Sequence, residues 1–96
     1  KLEKAYVIQA DAVRFLETPS QEKFDIVFAD PPYSTALGNF IIDNVMANGY
    51  LSPHGVLVVE TSPDEILKPP DAWPGLKFYK QKKWGTSRVT ILQNIV

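Results

Sequence analysis

The sequence predicts a small α/β domain in which parallel strands are joined through a helix and an antiparallel hairpin closes the chain. Three observations carry this. Two apolar runs, residues 26–29 and 56–59, are continuous rather than alternating, the pattern of strands buried on both faces. Between them Phe40, Ile41, Asn44, Val45 and Asn48 recur at helical spacing, so the two strands are linked by a crossover helix. Near the end, residues 76–84 and 88–95 are strand-like runs around Gly85-Thr86-Ser87, the signature of a hairpin.

Ninety-six residues allow one small domain, which buries its core with little margin. The apolar share of 45% and charged share of 22% are globular values, which excludes a disordered or membrane-spanning chain. A net charge of -1 gives no global basic signal for nucleic acid. The absence of cysteine excludes disulfides and thiolate metal sites and fits a reducing, cytoplasmic compartment. No signal peptide and no apolar run of membrane-spanning length is visible.

Residues 1–4 are a charged start without a cap. Residues 6–10 read as a strand. Asp11 follows and can N-cap a helix over residues 12–17, with Val13 and Leu16 on its buried face and Pro19 stopping it. Residues 20–23 are a polar loop. The next strand ends at Asp30, because Pro31 and Pro32 cannot donate to a sheet ladder. A residue before proline is pushed to extended geometry, which holds Asp30 at the strand's carboxyl end. Residues 34–39 are a loop and helix entry containing Gly38. The helix places Phe40, Ile41 and Val45 in the core, with Leu37 one turn earlier, and Asn48-Gly49 ends it.

Ser52-Pro53-His54-Gly55 reads as a turn that leaves His54, the sole histidine, in water rather than in a catalytic position. Glu60 ends the strand over residues 56–59 and faces either water or the site. Pro63-Asp64-Glu65-Ile66 starts a short helical turn at most, which Pro69-Pro70 ends. Residues 71–75 are a loop from which Trp73 lids the core. Lys77, Lys80, Lys82, Lys83 and Arg88 form the basic cluster of the chain, beside Trp84. Two readings stay open there, and both can hold: contact with RNA phosphates, or protection of an exposed sheet edge.

Asp30-Pro31-Pro32-Tyr33 stands where α/β sheets bind ligands. Its parts suit one task. A base NH2 is a poor nucleophile because its lone pair is delocalised into the ring. Two acceptors aimed at its hydrogens localise that pair. The Asp30 carboxylate is one acceptor. The Pro31 carbonyl is the second, its direction fixed by the proline pair. Tyr33 offers a ring face to a base taken out of its stack. This is positioning and electrostatics rather than covalent catalysis. Asp-Pro-Pro alone also reads as a plain turn.

The motif after an apolar strand resembles the catalytic motif of amino-methyltransferases. Together with Val7-Ile8-Gln9-Ala10-Asp11-Ala12 before it, Gly55-Val56-Leu57-Val58-Val59-Glu60 after it and Lys83-Trp84-Gly85-Thr86-Ser87-Arg88 near the end, it resembles the C-terminal part of the RsmD-like family. That family methylates guanine N2 in small-subunit ribosomal RNA. The resemblance implies the C-terminal part of a Rossmann-like class I methyltransferase sheet ending in an antiparallel hairpin. It implies S-adenosylmethionine as cofactor and small-subunit ribosomal RNA as partner. By the same resemblance Asp30, Pro31, Pro32 and Tyr33 are catalytic, and Asp30 also adjoins the cofactor. Asp11 accepts from the cofactor's adenine amino group and the Ala12 N–H faces a ring nitrogen, although Asp11 also reads as a plain helix cap. Tyr33, Lys82, Lys83, Trp84 and Arg88 are the implied nucleic-acid contacts.

The chain departs from the family pattern in one respect. The family's cofactor site uses a Gly-rich turn after the first strand and an acidic residue after the second. Here Gly38, Gly49, Gly55, Gly75 and Gly85 are scattered. Residues 1–96 therefore read as a single partial methyltransferase domain without the N-terminal Gly-rich motif, expected to transfer no methyl group alone. In the family sheet two further strands separate the strand at residues 6–10 from that at 26–29. Without them the latter is an open apolar edge, an association hazard. Three repairs are expected as alternatives: residues 6–10 pair beside it, a second copy does, or the missing N-terminal half arrives as another chain. Two other functions compete. One is a DNA or RNA adenine-N6, or protein, methyltransferase fragment, which shares the motif. The other is a non-catalytic α/β nucleic-acid-binding module.

Overall fold

The computed structural model describes residues 4–8, 16–30 and 37–96. They build a five-stranded sheet in the order β1-β2-β3-β5-β4. The strands are β1 (Ala5–Ile8), β2 (Phe24–Ala29), β3 (Leu51–Thr61), β4 (Leu76–Trp84) and β5 (Ser87–Asn94). Helix α1 (Gly38–Ala47) connects β2 to β3, and a 3-10 turn, Pro70–Ala72, precedes β4. β1, β2 and β3 are parallel, while β5 runs antiparallel to both β3 and β4. The mixed α/β sheet with its terminal hairpin is the architecture the sequence predicts.

At the margin β1 pairs directly with β2, from Ala5↔Ile26 to Ile8↔Ala29. This is the first of the three arrangements expected for an otherwise open edge. Lys4 reinforces it. Its carbonyl accepts from the Asp25 and Ile26 amides at 2.9 and 3.2 Å, and its own amide donates to Asp25 Oδ2 at 3.1 Å.

The core lies on one face of the sheet. Val27, Ala29, Leu57, Val59 and Leu92 form it with Ile41, Ile42 and Val45 of α1, all fully buried. Each valine, leucine or isoleucine among them contributes about 1.5–3 kcal/mol by leaving water. Ile42 takes the core position expected for Phe40, which is half-buried at the edge of the cluster. Residues 16–20 are held beneath the helix end: Asn48 Nδ2 donates to the Leu16 carbonyl at 2.5 Å and Tyr50 Oη to the Thr18 carbonyl at 3.0 Å. Leu16 is buried as expected, while the remainder of the helix expected at residues 12–17 is largely outside the described residues.

The expectation that the continuous runs are buried on both faces does not hold. β3 alternates between buried and half-buried residues, Phe28 is 42% exposed and Val7 57%. Val7, Phe28, Val58 and Ile91 are register partners, one apolar row crossing four strands. Helix α1 and the segment before β4 cover the opposite face, and no described element covers this one.

Two local expectations are corrected. Ser52 to Gly55 is not a turn between elements but an excursion inside β3. The register advances two residues on β2 and five on β3 between Phe24↔Leu51 and Ile26↔Val56. His54 sits there, exposed, at φ 63°. Gly55 returns the strand to the sheet at a point where a Cβ would lie 2.8 Å from the Ser52 carbonyl and 2.9 Å from that of Phe24. Likewise, beyond the expected turn at Pro63-Asp64, where the Glu65 amide donates to the Ser62 carbonyl at 3.2 Å, a separate 3-10 turn starts at Pro70 in the stretch read as a loop. A proline at the first helical position loses nothing, because the N–H it lacks has no intrahelical partner anyway. No described helix is long and apolar enough to cross a membrane.

Candidate functional site

Parallel register decides what meets at the site. Ile8, Ala29 and Val59 stand side by side as partners across β1, β2 and β3. The carboxyl ends of three parallel strands therefore open together, where α/β sheets bind ligands. Asp30 is the first residue past β2 and is exposed there. Asp11, Ala12, Pro31, Pro32 and Tyr33 lie outside the described residues.

β3 continues past Val59 to the half-buried Glu60 and to Thr61, which is 2% exposed. Thr61 is the register partner of Arg88. Arg88 is only 8% exposed. Its Nε donates to Thr61 Oγ1 at 3.2 Å and its Nη2 to the Glu65 carbonyl at 2.6 Å. This differs from the expected phosphate contact. Arg88 shares the inward-facing row of β5 with Thr90 and Leu92, so its guanidinium is spent inside the fold.

Glu65 reaches further. Its Oε2 accepts the Gly38 N–H at 2.6 Å. Helix α1 begins without a cap of its own: Leu37 offers no side-chain acceptor and the first turn holds no acidic residue. The Glu65 carboxylate supplies both an acceptor and a negative charge at the positive end of the helix. Gly38 makes the space, because a Cβ there would lie 2.5 Å from Glu65 Oε2 and 2.8 Å from Leu67 Cδ2. Asn39 clasps the same segment, donating to the Ile66 carbonyl at 3.0 Å and accepting the Lys68 amide at 2.8 Å. Sequence reading passed over Glu65 and Asn39. The signal is visible once the helix start is known: Leu37, at the cap position, has no side-chain acceptor.

The basic cluster divides by face. Lys77, Lys80 and Lys82 are partners of Gln93, Ile91 and Val89, which places them on the uncovered face. Lys82 Nζ lies 5.3 Å from the Trp84 ring centroid, a cation–π contact. Lys83, the partner of Arg88, belongs to the other side. Glu60, Val89 and Lys82 form one row. Lys82 is thus two strands, about 10 Å, from the end of β3. On the same face a cavity of about 340 Å³ opens between Val56, Tyr79, Ile91 and Gln93. Another, of about 330 Å³, is lined by Tyr6, Phe24 and Tyr50 at the amino ends of the parallel strands, away from Asp30.

The family described as Conserved hypothetical protein 95, the RsmD family, matches residues 1–93. The chain belongs to this family. Ribosomal RNA small subunit methyltransferase D of Haemophilus influenzae is 36% identical over 93 residues, covering 96% of this chain and 47% of that protein. The protein of the same name from Buchnera aphidicola is 30% identical over 80 residues, covering 81% of this chain and 40% of its own length. A crystal structure from Haemophilus influenzae, provisionally described as a methylase, matches with a TM-score of 0.74 at 30% identity over 88% of this chain and 51% of that one. The chain spans about half the length of the curated RsmD relatives it matches.

Three of the glycines of this RsmD-family chain are committed to the fold. Gly38 makes room for Glu65, Gly49 ends α1 at φ 73° and Gly55 returns β3 to the sheet. Among the described residues these three glycines form no Gly-rich turn of the kind the family resemblance leads one to expect at an S-adenosylmethionine site.

Proposed function

We propose that this chain carries the target-amine half of an S-adenosylmethionine-dependent N-methyltransferase acting on guanine N2 of small-subunit ribosomal RNA. The observation that supports it is the place of Asp30. It is an exposed carboxylate at the carboxyl end of β2, beside β3, followed by Pro31-Pro32-Tyr33 in a chain of the RsmD family. Asp30 accepts one N–H of the guanine amine and the Pro31 carbonyl the other, which localises the nitrogen lone pair. Tyr33 stacks on the extruded base. These groups orient and polarise, and none becomes covalently attached. Lys82 and Trp84 meet the RNA from the uncovered face of the hairpin, and Lys83 from the other side. The names of the two relatives, ribosomal RNA small subunit methyltransferase D, favour a ribosomal RNA target.

Turnover in this reading needs a family-length protein. The test is a hybrid in which residues 1–96 replace the aligned segment of the Haemophilus influenzae relative. The hybrid is expected to methylate guanine N2 of small-subunit ribosomal RNA, while the isolated chain stays silent. A folded hybrid that binds S-adenosylmethionine yet leaves the RNA unmodified would sink the reading.

A further inference from the structure

The cavity between Val56, Tyr79, Ile91 and Gln93, of about 340 Å³, opens on the sheet face that no described element covers. Two irregularities in the strands shape it. Between Phe78↔Leu92 and Lys80↔Ile91 the register advances two residues on β4 and one on β5. Tyr79 is the extra residue of this bulge, and a bulge re-aims a side chain. Tyr79 is 67% exposed, yet it lines the same cavity as Val56, two strands away. On β3 the excursion around His54 presents a carbonyl that accepts from Gln93 Nε2 at 3.2 Å. That bond orients the Gln93 amide, whose Oε1 has no partner among the described residues.

The floor of the cavity, Val56 and Ile91, is apolar and half-buried. A ring face, an apolar floor and one oriented amide fit a flat heterocycle with a polar edge, the chemistry of a nucleobase. The surroundings fit its phosphates. Lys77 and Lys80, exposed partners of Gln93 and Ile91, flank Tyr79, and Lys82 and Trp84 continue the face toward the hairpin turn. Along the paired rows of β3, β5 and β4 on this face, these three lysines stand against one acid, Glu60. That balance attracts a polyanion, whereas two copies of the face brought together would set lysine against lysine.

We propose that this cavity is a nucleobase pocket on a platform for single-stranded RNA: Tyr79 stacks on the base, the Gln93 amide binds its edge, and Lys77, Lys80 and Lys82 follow the phosphates. The proposal rests on the reading of RNA as partner, but not on Asp30. Val56 lies three residues, about 10 Å, before Val59, the partner of Ala29, so the pocket is a base site apart from the strand end.

Solution NMR of the 96-residue chain, titrated with a short single-stranded oligoribonucleotide of mixed sequence, tests this. The Gln93 side-chain amide resonances are expected to shift. Tyr79→Ala is expected to weaken binding about tenfold, the scale of one lost base stack, and Tyr79→Phe to keep most of it. The ring is exposed, so both variants keep the fold. Asp30→Asn is expected to leave the affinity unchanged, which separates the pocket from the amine site. Equal affinity of wild type and Tyr79→Ala, or RNA binding that leaves the Gln93 side chain unmoved, would overturn the pocket. Methyl shifts of Val58 and Ile91 that follow protein concentration rather than RNA would give the face to a second copy and overturn it as well. A wild-type chain that binds no RNA would overturn it whatever the hybrid enzyme does, because methyl transfer by the hybrid reports on Asp30.

Discussion

The indole N–H of Trp73 donates to Asp43 Oδ1 at 2.7 Å, and Lys68 Nζ meets Asp43 Oδ2 at 2.8 Å. One carboxylate on α1 thus gathers the segment between β3 and β4. Trp73 is 5% exposed and stacks on Phe78 with ring centroids 6.3 Å apart. Trp73→Phe keeps an aromatic ring in place but deletes the donor. It is expected to cost about 1–3 kcal/mol, read from the urea midpoint. Asp43→Asn keeps an acceptor and should cost less. A larger loss for Asp43→Asn than for Trp73→Phe would show that the lysine bond, not the indole bond, holds the segment.

Gly38→Ala should reverse the usual sign. Alanine in a helix is worth about 0.5–1 kcal/mol over glycine. Here the new Cβ meets Glu65 Oε2, Leu67 Cδ2 and Thr61 Cγ2 at 2.5, 2.8 and 3.2 Å. Destabilisation of about 1–3 kcal/mol is expected. Stabilisation in urea melts would mean that the segment moves aside freely.

Asp30→Asn separates chemistry from folding. The side chain is exposed, so the urea midpoint of the chain should stay within about 0.5 kcal/mol of wild type. In the hybrid enzyme, methyl transfer is expected to fall by about 100-fold or more, the scale of losing one preorganised electrostatic partner. Undiminished transfer by the Asp30→Asn hybrid would remove this carboxylate from the mechanism.

The split of the basic cluster predicts two different phenotypes. Lys82→Ala should weaken binding of a single-stranded RNA oligonucleotide and lower its salt slope by about 1. Arg88→Met should leave that slope unchanged but cost about 1.5–3 kcal/mol of stability, because it removes charged donors from Thr61 and Glu65. A fall in salt slope with Arg88→Met would place its guanidinium on phosphate.

Much of this fold is legible in local pattern. Continuous apolar runs, helical spacing around Ile41 and Val45 and a glycine between two strand-like runs mark β2, α1 and the hairpin to within about two residues, and the second half of β3. Three features are not local and stayed hidden. Which face of the sheet is covered depends on where α1 lands, so Phe28 reads as core and proves 42% exposed. The excursion around His54 looks like a turn between elements, because a bulge and a turn use the same residues. Arg88 reads as one more surface cation, since its burial depends on its inward-facing position on β5 and on a partner 23 positions away. Asp30 was readable because the proline pair that follows it dictates both the strand's end and its place.

The four-residue strand β1 is joined to the rest of the sheet by β2 alone, and Val7 remains 57% exposed. Opening it exposes little apolar surface, so its amides should exchange with solvent long before those of β3 and β5, which are paired on both sides. The rim of the sheet is then a separate cooperative unit of low stability. A rung that is cheap to release is also cheap to trade: another strand of suitable pattern can occupy the place beside β2 while β2 to β5 stay folded around Asp30.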